Sequence, residues 1–454
     1  MNVAVILSAG TGSRFGADIP KQFINLAGKN IIEYTITQFQ YNQNIDEICI
    51  VANKEYHGKL FVICKENDFS KVRHIINGGK ERYDSSYEAI RLYQQKNDVN
   101  LIFHDAVRPF ISNEIITNTI KALEKYSAID VAIPTADTII KVDKKNNVID
   151  SIPVREFLRR GQTPQAFKLS IIKKAHELAR QSKEPLLFTD DCGLVKSFLP
   201  EIDIFVVEGE ERNIKITYPE DLLFAEKLIQ LETITNSSKN LDFTKLKDKV
   251  VVIFGGNSGI GLELSNICKE FCNVYSLSRK NGIDIQNLQD VKAALERVYL
   301  ENKRIDYVIN CVGYLEKKEL SKMNNNDITT QININFTGAV NIANASFNYL
   351  KESKGMLLQF TSSSYTRGRE LYSLYSATKA AIVNFTQAIA QEWKNDGIKV
   401  NAINPARTKT KMRVDNFGIE PEETLLSVND VALSTINTMI EEYSGLVIDI
   451  KKGI

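Results

Sequence analysis

Two groups of residues in this chain have the types and spacing for chemistry on phosphates and on a carbonyl. The first opens the chain, where Val3-Ala4-Val5-Ile6-Leu7 feeds Ser8-Ala9-Gly10-Thr11-Gly12-Ser13-Arg14-Phe15-Gly16, and Pro20-Lys21-Gln22 follows. Glycine accepts the backbone angles that let several N–H groups converge on an anion. Arg14 adds a planar fork and Lys21 a mobile point charge. The stretch reads as a triphosphate cradle, or as a tight β-to-α turn carrying two solvated cations; it lacks the Gly-Lys-Ser/Thr of a P-loop. The second group is Tyr375-Ser376-Ala377-Thr378-Lys379. Residues four apart share a helix face, so the ammonium can stand beside the phenol. A free tyrosine has a pKa of about 10, and an adjacent cation favours the phenolate, bringing proton transfer nearer neutral pH.

These groups need rigid elements to hold them. In the first half, short apolar runs at 3–7, 47–51, 101–104, 131–134 and 204–207 read as buried strands, and 31–40, 84–95, 112–125 and 169–180 as helices. Their alternation predicts an α/β domain with a mainly parallel sheet, whose ligands collect at the carboxyl ends of strands. At 454 residues the chain is too long for one ordinary core, and two domains of roughly 200 residues are expected. The reading is 1–231, a linker at 232–247 around Asn236-Ser237-Ser238-Lys239-Asn240, and 248–454. A net charge of +1 gives no general attraction to nucleic acid or anionic membrane, so basic residues must act locally. Six cysteines without metal spacing fit a reducing cytoplasm; Cys268 and Cys272 read as core or surface positions. No apolar run approaches the roughly 18 residues of a membrane span, and no basic leader precedes the first strand.

Polar motifs follow the predicted strands. Gly78-Gly79-Lys80-Glu81-Arg82-Tyr83-Asp84-Ser85-Ser86 opens a helix, with Ser85 and Ser86 placed for a base or ribose, or for capping. His104-Asp105-Ala106-Val107-Arg108-Pro109 ends a strand in a carboxylate that can hold Mg²⁺ or cap a turn. Further on stand Thr135-Ala136-Asp137-Thr138, Arg155, Arg160-Gly161-Gln162-Thr163-Pro164-Gln165, Thr189-Asp190-Asp191 and Gly209-Glu210-Glu211-Arg212-Asn213-Ile214-Lys215-Ile216-Thr217. In this order they resemble the cytidylyltransferases that act on methylerythritol phosphate and ribitol phosphate, over about 1–230. The Phe188-Thr189-Asp190-Asp191-Cys192 and Arg-Gly-Gln-Thr-Pro-Gln strings look closer to the ribitol branch. The resemblance implies a nucleotidyltransferase Rossmann-like fold. It implies that Arg14, Lys21 and Lys215 hold the triphosphate and its developing charge, and that Asp105 binds Mg²⁺. Ala9, Gly10, Gly12, Gly79, Ser85, Ser86, Arg108 and Thr217 would line the CTP site, with Thr138 and Arg155 on the substrate phosphate, commonly from the neighbouring subunit of a homodimer paired through an arm near 136–157.

The second half starts again with Val250-Val251-Val252-Ile253-Phe254 and Gly255-Gly256-Asn257-Ser258-Gly259-Ile260-Gly261, whose glycines let a pyrophosphate approach the next helix. Asn310-Cys311-Val312-Gly313, Asn335, Ser362, the Tyr375/Lys379 pair and Asn401-Ala402-Ile403-Asn404-Pro405 follow in order. The set resembles the short-chain dehydrogenase/reductase family over about 248–454, implying an NADP-binding Rossmann fold. By that resemblance Tyr375 protonates a carbonyl oxygen, Ser362 orients it, Lys379 also holds the nicotinamide ribose, and Asn335 supports a proton-relay water. Gly255, Asn257, Ser258, Gly259, Ile260, Gly261, Asp284, Asn310 and Gly313 would bind cofactor. Strand 273–277 ends in Ser278-Arg279-Lys280 rather than an acid, so Arg279 suits the 2′-phosphate of NADPH. Two stretches depart from the family: the segment from Ser278 to Asp284 is very short, and few residues follow Met412. Arg367, Arg369, Arg407, Lys409 and Lys411 either bind a phosphate at the substrate mouth or form a solvated basic patch.

Together the halves resemble the bifunctional ribulose 5-phosphate reductase/CDP-ribitol pyrophosphorylases of bacterial capsule synthesis. That implies reduction of D-ribulose 5-phosphate with NADPH, then transfer of CMP from CTP to give CDP-ribitol. The alternatives are a methylerythritol phosphate cytidylyltransferase fused to another reductase, a different CDP-alditol, or a silent nucleotide-binding scaffold. Intact Lys21, Asp105, Lys215, Tyr375 and Lys379 argue against the last.

Overall fold

The computed structural model describes residues 1–10, 19–143, 147–182, 188, 190–235 and 241–452, without the side chains of 232–235. The chain divides into two compact units, Met1–Ala225 and Glu226–Ile454. The division falls within the helix Glu220–Thr235, which runs into the stretch read as a linker.

In the first unit every strand expected from the sequence forms. Asn2–Leu7 pairs in parallel with Glu47–Ala52 on one side and Asn100–Asp105 on the other. Alternation of side chains across the strands sends Ala4, Ile6, Ile48 and Ile50 to one face and Val3, Val5, Cys49 and Val51 to the other. Both faces are apolar because both are covered. Ile32, Ile36 and Phe39 of helix Ile31–Tyr41 pack on the first, and Ala89, Ile90 and Tyr93 of helix Arg82–Tyr93 on the second. Val72–Asn77 extends one edge in parallel. Gln165–Lys168 is antiparallel to its neighbours Asn100–Asp105 and Ala128–Pro134. Lys141–Asp143 and Val148–Ser151 pair with each other away from this sheet, forming the arm.

The second unit holds a six-stranded, all-parallel sheet in the spatial order Asn273–Leu277, Val250–Phe254, Tyr307–Asn310, Met356–Phe360, Lys399–Pro405, Val447–Ile450. The chain leaves Val250–Phe254 toward one side and later returns on the other, which opens a crevice at the carboxyl end of that strand. Among the described residues no strand lies beyond Asn273–Leu277. The short segment after Ser278 makes a single turn, Arg279–Asn281, closed by Gly282 at φ 79°. Ile285 then anchors the chain: a Cβ on Gly338 would fall 2.5 Å from its Cδ1, and Asn341 Nδ2 donates to the Ile285 carbonyl at 2.9 Å.

Candidate active sites

In the first unit the motif residues gather at the carboxyl ends of parallel strands. Gln22, buried within the turn Lys21–Phe23, donates from Nε2 to Ser8 O at 2.7 Å and ties this turn back to the first strand. Ala9 and Gly10 follow that strand; Gly12 and Arg14 lie outside the described residues. A Cβ on Gly78 would fall 2.3 Å from Ala9 Cβ, so the loop after Val72–Asn77 presses on the first loop at a point only glycine permits. Gly79 N donates to Ser85 Oγ at 3.1 Å, which donates to Glu81 O at 3.2 Å.

Asp105 is the hub. Lys215 Nζ stands 3.0 Å from it, Arg108 Nε 3.4 Å and Arg82 Nε 3.8 Å. Burial alone would raise its pKa, but Lys215, Arg82 and Arg108 hold the carboxyl well below the usual range. Lys215 is brought there by its loop. Ile216 N donates to Val107 O at 2.9 Å, and Arg108 Nη1 to Asn213 O at 2.8 Å. Buried Asn213 donates to Thr163 O at 2.9 Å. The Thr217 and Tyr218 N–H groups both donate to Asp221, so Thr217 braces the loop.

Three cations on one carboxylate leave an excess of positive charge suited to a polyphosphate. Among the described residues no group of three or more His, Cys, Asp or Glu stands together to hold a metal. A Mg²⁺ on Asp105 would take its remaining oxygens from substrate phosphates and water.

Sequence reasoning missed the support behind this hub. Arg82 also pairs with Asp191, a fully buried carboxylate that accepts from Ser86 Oγ at 3.0 Å and lies 3.6 Å from Nε2 of buried His176. Burial would raise Asp191, yet Arg82 and His176 hold it below its ordinary value. Ser86 departs from the expectation of a ligand contact: it is fully buried, and its hydroxyl is spent on Asp191, because an ionised carboxylate there needs donors. Thr138 and Arg155 are exposed. Arg155 Nη1 donates to Ala136 O at 3.1 Å, and no contact among the described residues joins either to Asp105.

In the second unit the glycine turn is closely built. A Cβ on Gly261 would fall 2.4 Å from Gly255 O, and one on Gly256 2.6 Å from Ser276 Oγ; Gly255 and Gly259 take φ of 83° and 52°. This leaves Ser258 and Gly259 exposed at the start of helix Gly259–Cys268, which includes Ile260, as a pyrophosphate would require. Asn257 Nδ2 donates to Ser278 Oγ and Asn281 Oδ1, both at 2.6 Å. Arg279 is exposed beside them. Asp284 accepts from Gln286 N at 3.0 Å and shapes the next turn. Asn310 Oδ1 accepts from Val312 N at 3.1 Å and holds the Asn310–Gly313 bend. The residues present fit a nicotinamide dinucleotide.

Tyr375 and Lys379 lie on helix Ser373–Glu392, with Lys379 Nζ 5.6 Å from the Tyr375 ring centre. Lys379 Nζ donates to Phe360 O at 2.7 Å and sits 3.6 Å from the Cβ position of Gly313. Burial lowers its pKa to about 8. Burial pushes the Tyr375 phenol up to about 12, against a hydrogen bond with Ser362. The expected lowering by Lys379 is therefore corrected: desolvation prevails, and the neutral phenol is held as a proton donor. Asn335, in the π-helical segment Asn333–Thr337, accepts from Tyr314 N and donates to Tyr314 O, both at 2.8 Å. These two bonds fix the orientation of the Asn335 side chain and leave it one amide N–H and one oxygen lone pair for a further partner.

The model of the 2-C-methyl-D-erythritol 4-phosphate cytidylyltransferase family matches residues 2–231, and that of the short chain dehydrogenases matches 280–418. The bifunctional ribulose 5-phosphate reductase/CDP-ribitol pyrophosphorylase of Haemophilus influenzae is 44% identical over 99% of this chain and 95% of its own length. The chain belongs to this bifunctional family. It is an enzyme with a cytidylyltransferase half and a short-chain dehydrogenase/reductase half, the latter implying a nicotinamide cofactor. The 2-C-methyl-D-erythritol 4-phosphate cytidylyltransferase of Thermobifida fusca is 39% identical over 50% of this chain and 92% of its own. Among solved structures, 4-diphosphocytidyl-2C-methyl-D-erythritol synthase from Anaerococcus prevotii covers 51% of this chain and 96% of its own at 31% identity, with a TM-score of 0.46.

Proposed function

We propose that the C-terminal half reduces D-ribulose 5-phosphate to D-ribitol 5-phosphate with NADPH, and that the N-terminal half converts this product with CTP to CDP-ribitol and pyrophosphate. The observation that carries the reading is the full-length match to a protein named for both activities. In the reductase half the nicotinamide supplies the hydride for the carbonyl carbon. Tyr375 gives its proton to the carbonyl oxygen, Ser362 orients that oxygen, Lys379 holds the ribose, and Asn335, itself held by the Tyr314 backbone, supports the proton-relay water. Arg279 favours NADPH over NADH. In the transferase half a phosphate oxygen of ribitol 5-phosphate attacks the α-phosphorus of CTP, and the bond to pyrophosphate breaks. Near pH 7 the monoester is already largely ionised, so no general base is needed. Arg14, Lys21 and Lys215 neutralise the meeting anions, with Mg²⁺ at Asp105.

The same reading takes the domains as 1–231 and 248–454 and the enzyme as a cytoplasmic homodimer serving capsule or cell-surface polymer synthesis. The arm supports pairing: Ile149, Val154 and Phe157 are 55%, 63% and 79% exposed, and a partner would cover them while bringing its Thr138 and Arg155 to the substrate phosphate. No helix among the described residues is long and apolar enough to cross a membrane. A second reading, transfer to 2-C-methyl-D-erythritol 4-phosphate, is favoured by the family model over 2–231.

The test is incubation with ribulose 5-phosphate, NADPH and CTP, following NADPH loss and pyrophosphate together. Omitting NADPH or the ketose should stop both signals, and omitting CTP only the second. Pyrophosphate release that persists without NADPH overturns the sequence of steps, and a faster transfer to methylerythritol phosphate favours the second reading.

A further inference from the structure

The helix Lys411–Phe417 starts beside the glycines of the cofactor motifs. Its cap, Thr410, approaches Gly259: a Cβ on that glycine would sit 3.8 Å from Thr410 Cγ2. Met412 Cε lies 3.6 Å from the Cβ position of Gly313, as close as Lys379 Nζ. Arg413 and Phe417 are four apart and share a face, with the guanidinium carbon 3.9 Å from the ring centre. Lys317, from the loop after Tyr307–Asn310, sets its Nζ over the same ring at 4.5 Å. Phe417 meets Tyr372 edge-on at 5.8 Å, and Tyr372 meets Tyr375 at 6.4 Å. Two cations therefore stand on one aromatic ring, two ring contacts from the phenol.

The basic residues singled out in the sequence are engaged differently. Lys409 pairs with Glu422, Lys411 with Asp415 at 2.7 Å, and Arg407 reaches Glu420 at 3.7 Å. Arg413 grips Glu420 through Nε and Nη2, at 2.6 and 2.8 Å, which fixes the guanidinium plane and leaves Nη1 outside the pair. One carboxylate shared by two guanidinium groups leaves net positive charge.

We propose that Arg413 and Lys317, mounted on Phe417, form the subsite for the substrate's phosphate, so that the reductase half selects phosphorylated ketoses over neutral ones. This rests on the reductase reading above. In a 2-keto-pentose 5-phosphate, three carbons and an ester oxygen separate the carbonyl carbon from phosphorus. A carbonyl at Tyr375 would thus extend its dianion past Tyr372 toward Phe417. Burial raises the Tyr375 phenol, and Ser362 and Arg413 pull against it, consistent with a guanidinium whose field reaches the reacting group.

The test uses the full chain as wild type, Lys317→Met, Lys317→Arg and Arg413→Met. For each, kcat/KM for NADPH oxidation is measured with D-ribulose 5-phosphate and with D-ribulose, and NADPH binding by its fluorescence reports an intact cleft. The ratio of the two kcat/KM values should fall about tenfold or more in each Met variant, mainly through KM, and recover in Lys317→Arg. A Met variant that binds NADPH and keeps the wild-type ratio overturns the subsite. Should Arg413→Met fail to bind NADPH, exposed Lys317→Met decides alone. A wild-type enzyme that reduces neither ketose refutes the reductase reading, and the subsite with it.

Discussion

In the N-terminal half the groups at the site are charged and densely paired: Lys215, Arg82 and Arg108 surround Asp105, and Arg82 continues to buried Asp191. In the C-terminal half the phenol meets the Ser362 hydroxyl and the Tyr372 ring within reach of the Arg413 guanidinium, with one buried lysine whose pKa is brought down to about 8. The difference follows the reactions. Joining two polyanions requires fixed positive charge at the point of contact, whereas reducing a ketone requires one proton held at one atom. Both sites stand at the carboxyl end of the first strand of a mainly parallel sheet, so the fold sets the location and the side chains set the chemistry.

The comparison breaks most sharply at Tyr375. Tyr375→Phe should lower ketose-dependent NADPH oxidation by about 10²–10⁴-fold, while CTP-dependent pyrophosphate release from supplied ribitol 5-phosphate continues. Lys215→Ala should do the converse, cutting pyrophosphate release by about 10²–10³-fold with NADPH oxidation retained. Near-normal transfer in that variant would refute the assignment of Lys215. Asp191→Ala should act on stability: leaving Arg82 and His176 without their buried carboxylate should cost the N-terminal unit about 3–5 kcal/mol in denaturant unfolding.

The smallest effect sharpens the contrast through pH. Burial lowers Lys379 from 10.5 to about 8, so its positive charge is present below that pH and lost as pH rises through it. NADPH affinity, measured directly, should hold through neutral pH and weaken severalfold above about 8. CTP affinity should show no matching loss.

Much of this was legible because apolar runs ending in glycine announce themselves. Asn2–Leu7 and Val250–Phe254 are continuous buried strands, and the motif residues follow them at fixed offsets. Val72–Asn77 was not legible, since Arg73, His74 and Asn77 interrupt its pattern at a sheet edge. Gln165–Lys168 is too short to carry a period. The pairing of Arg82 with Asp191 spans 109 residues of sequence, and no local spacing encodes it. The same holds for Lys317 and Arg413, which meet only on the ring of Phe417. The spacing of Tyr375 and Lys379 puts them on one helix, but the burial that raises the phenol comes from the packing around it and is not encoded in that spacing.

The most direct test of the central claim is to supply ribulose 5-phosphate, CTP and NADPH deuterated at the transferred position, and to weigh the nucleotide product by mass spectrometry. The account predicts CDP-ribitol bearing a single deuterium on the former carbonyl carbon. An unlabelled CDP product, or label that stops at the free alditol phosphate while CTP is consumed, would contradict it.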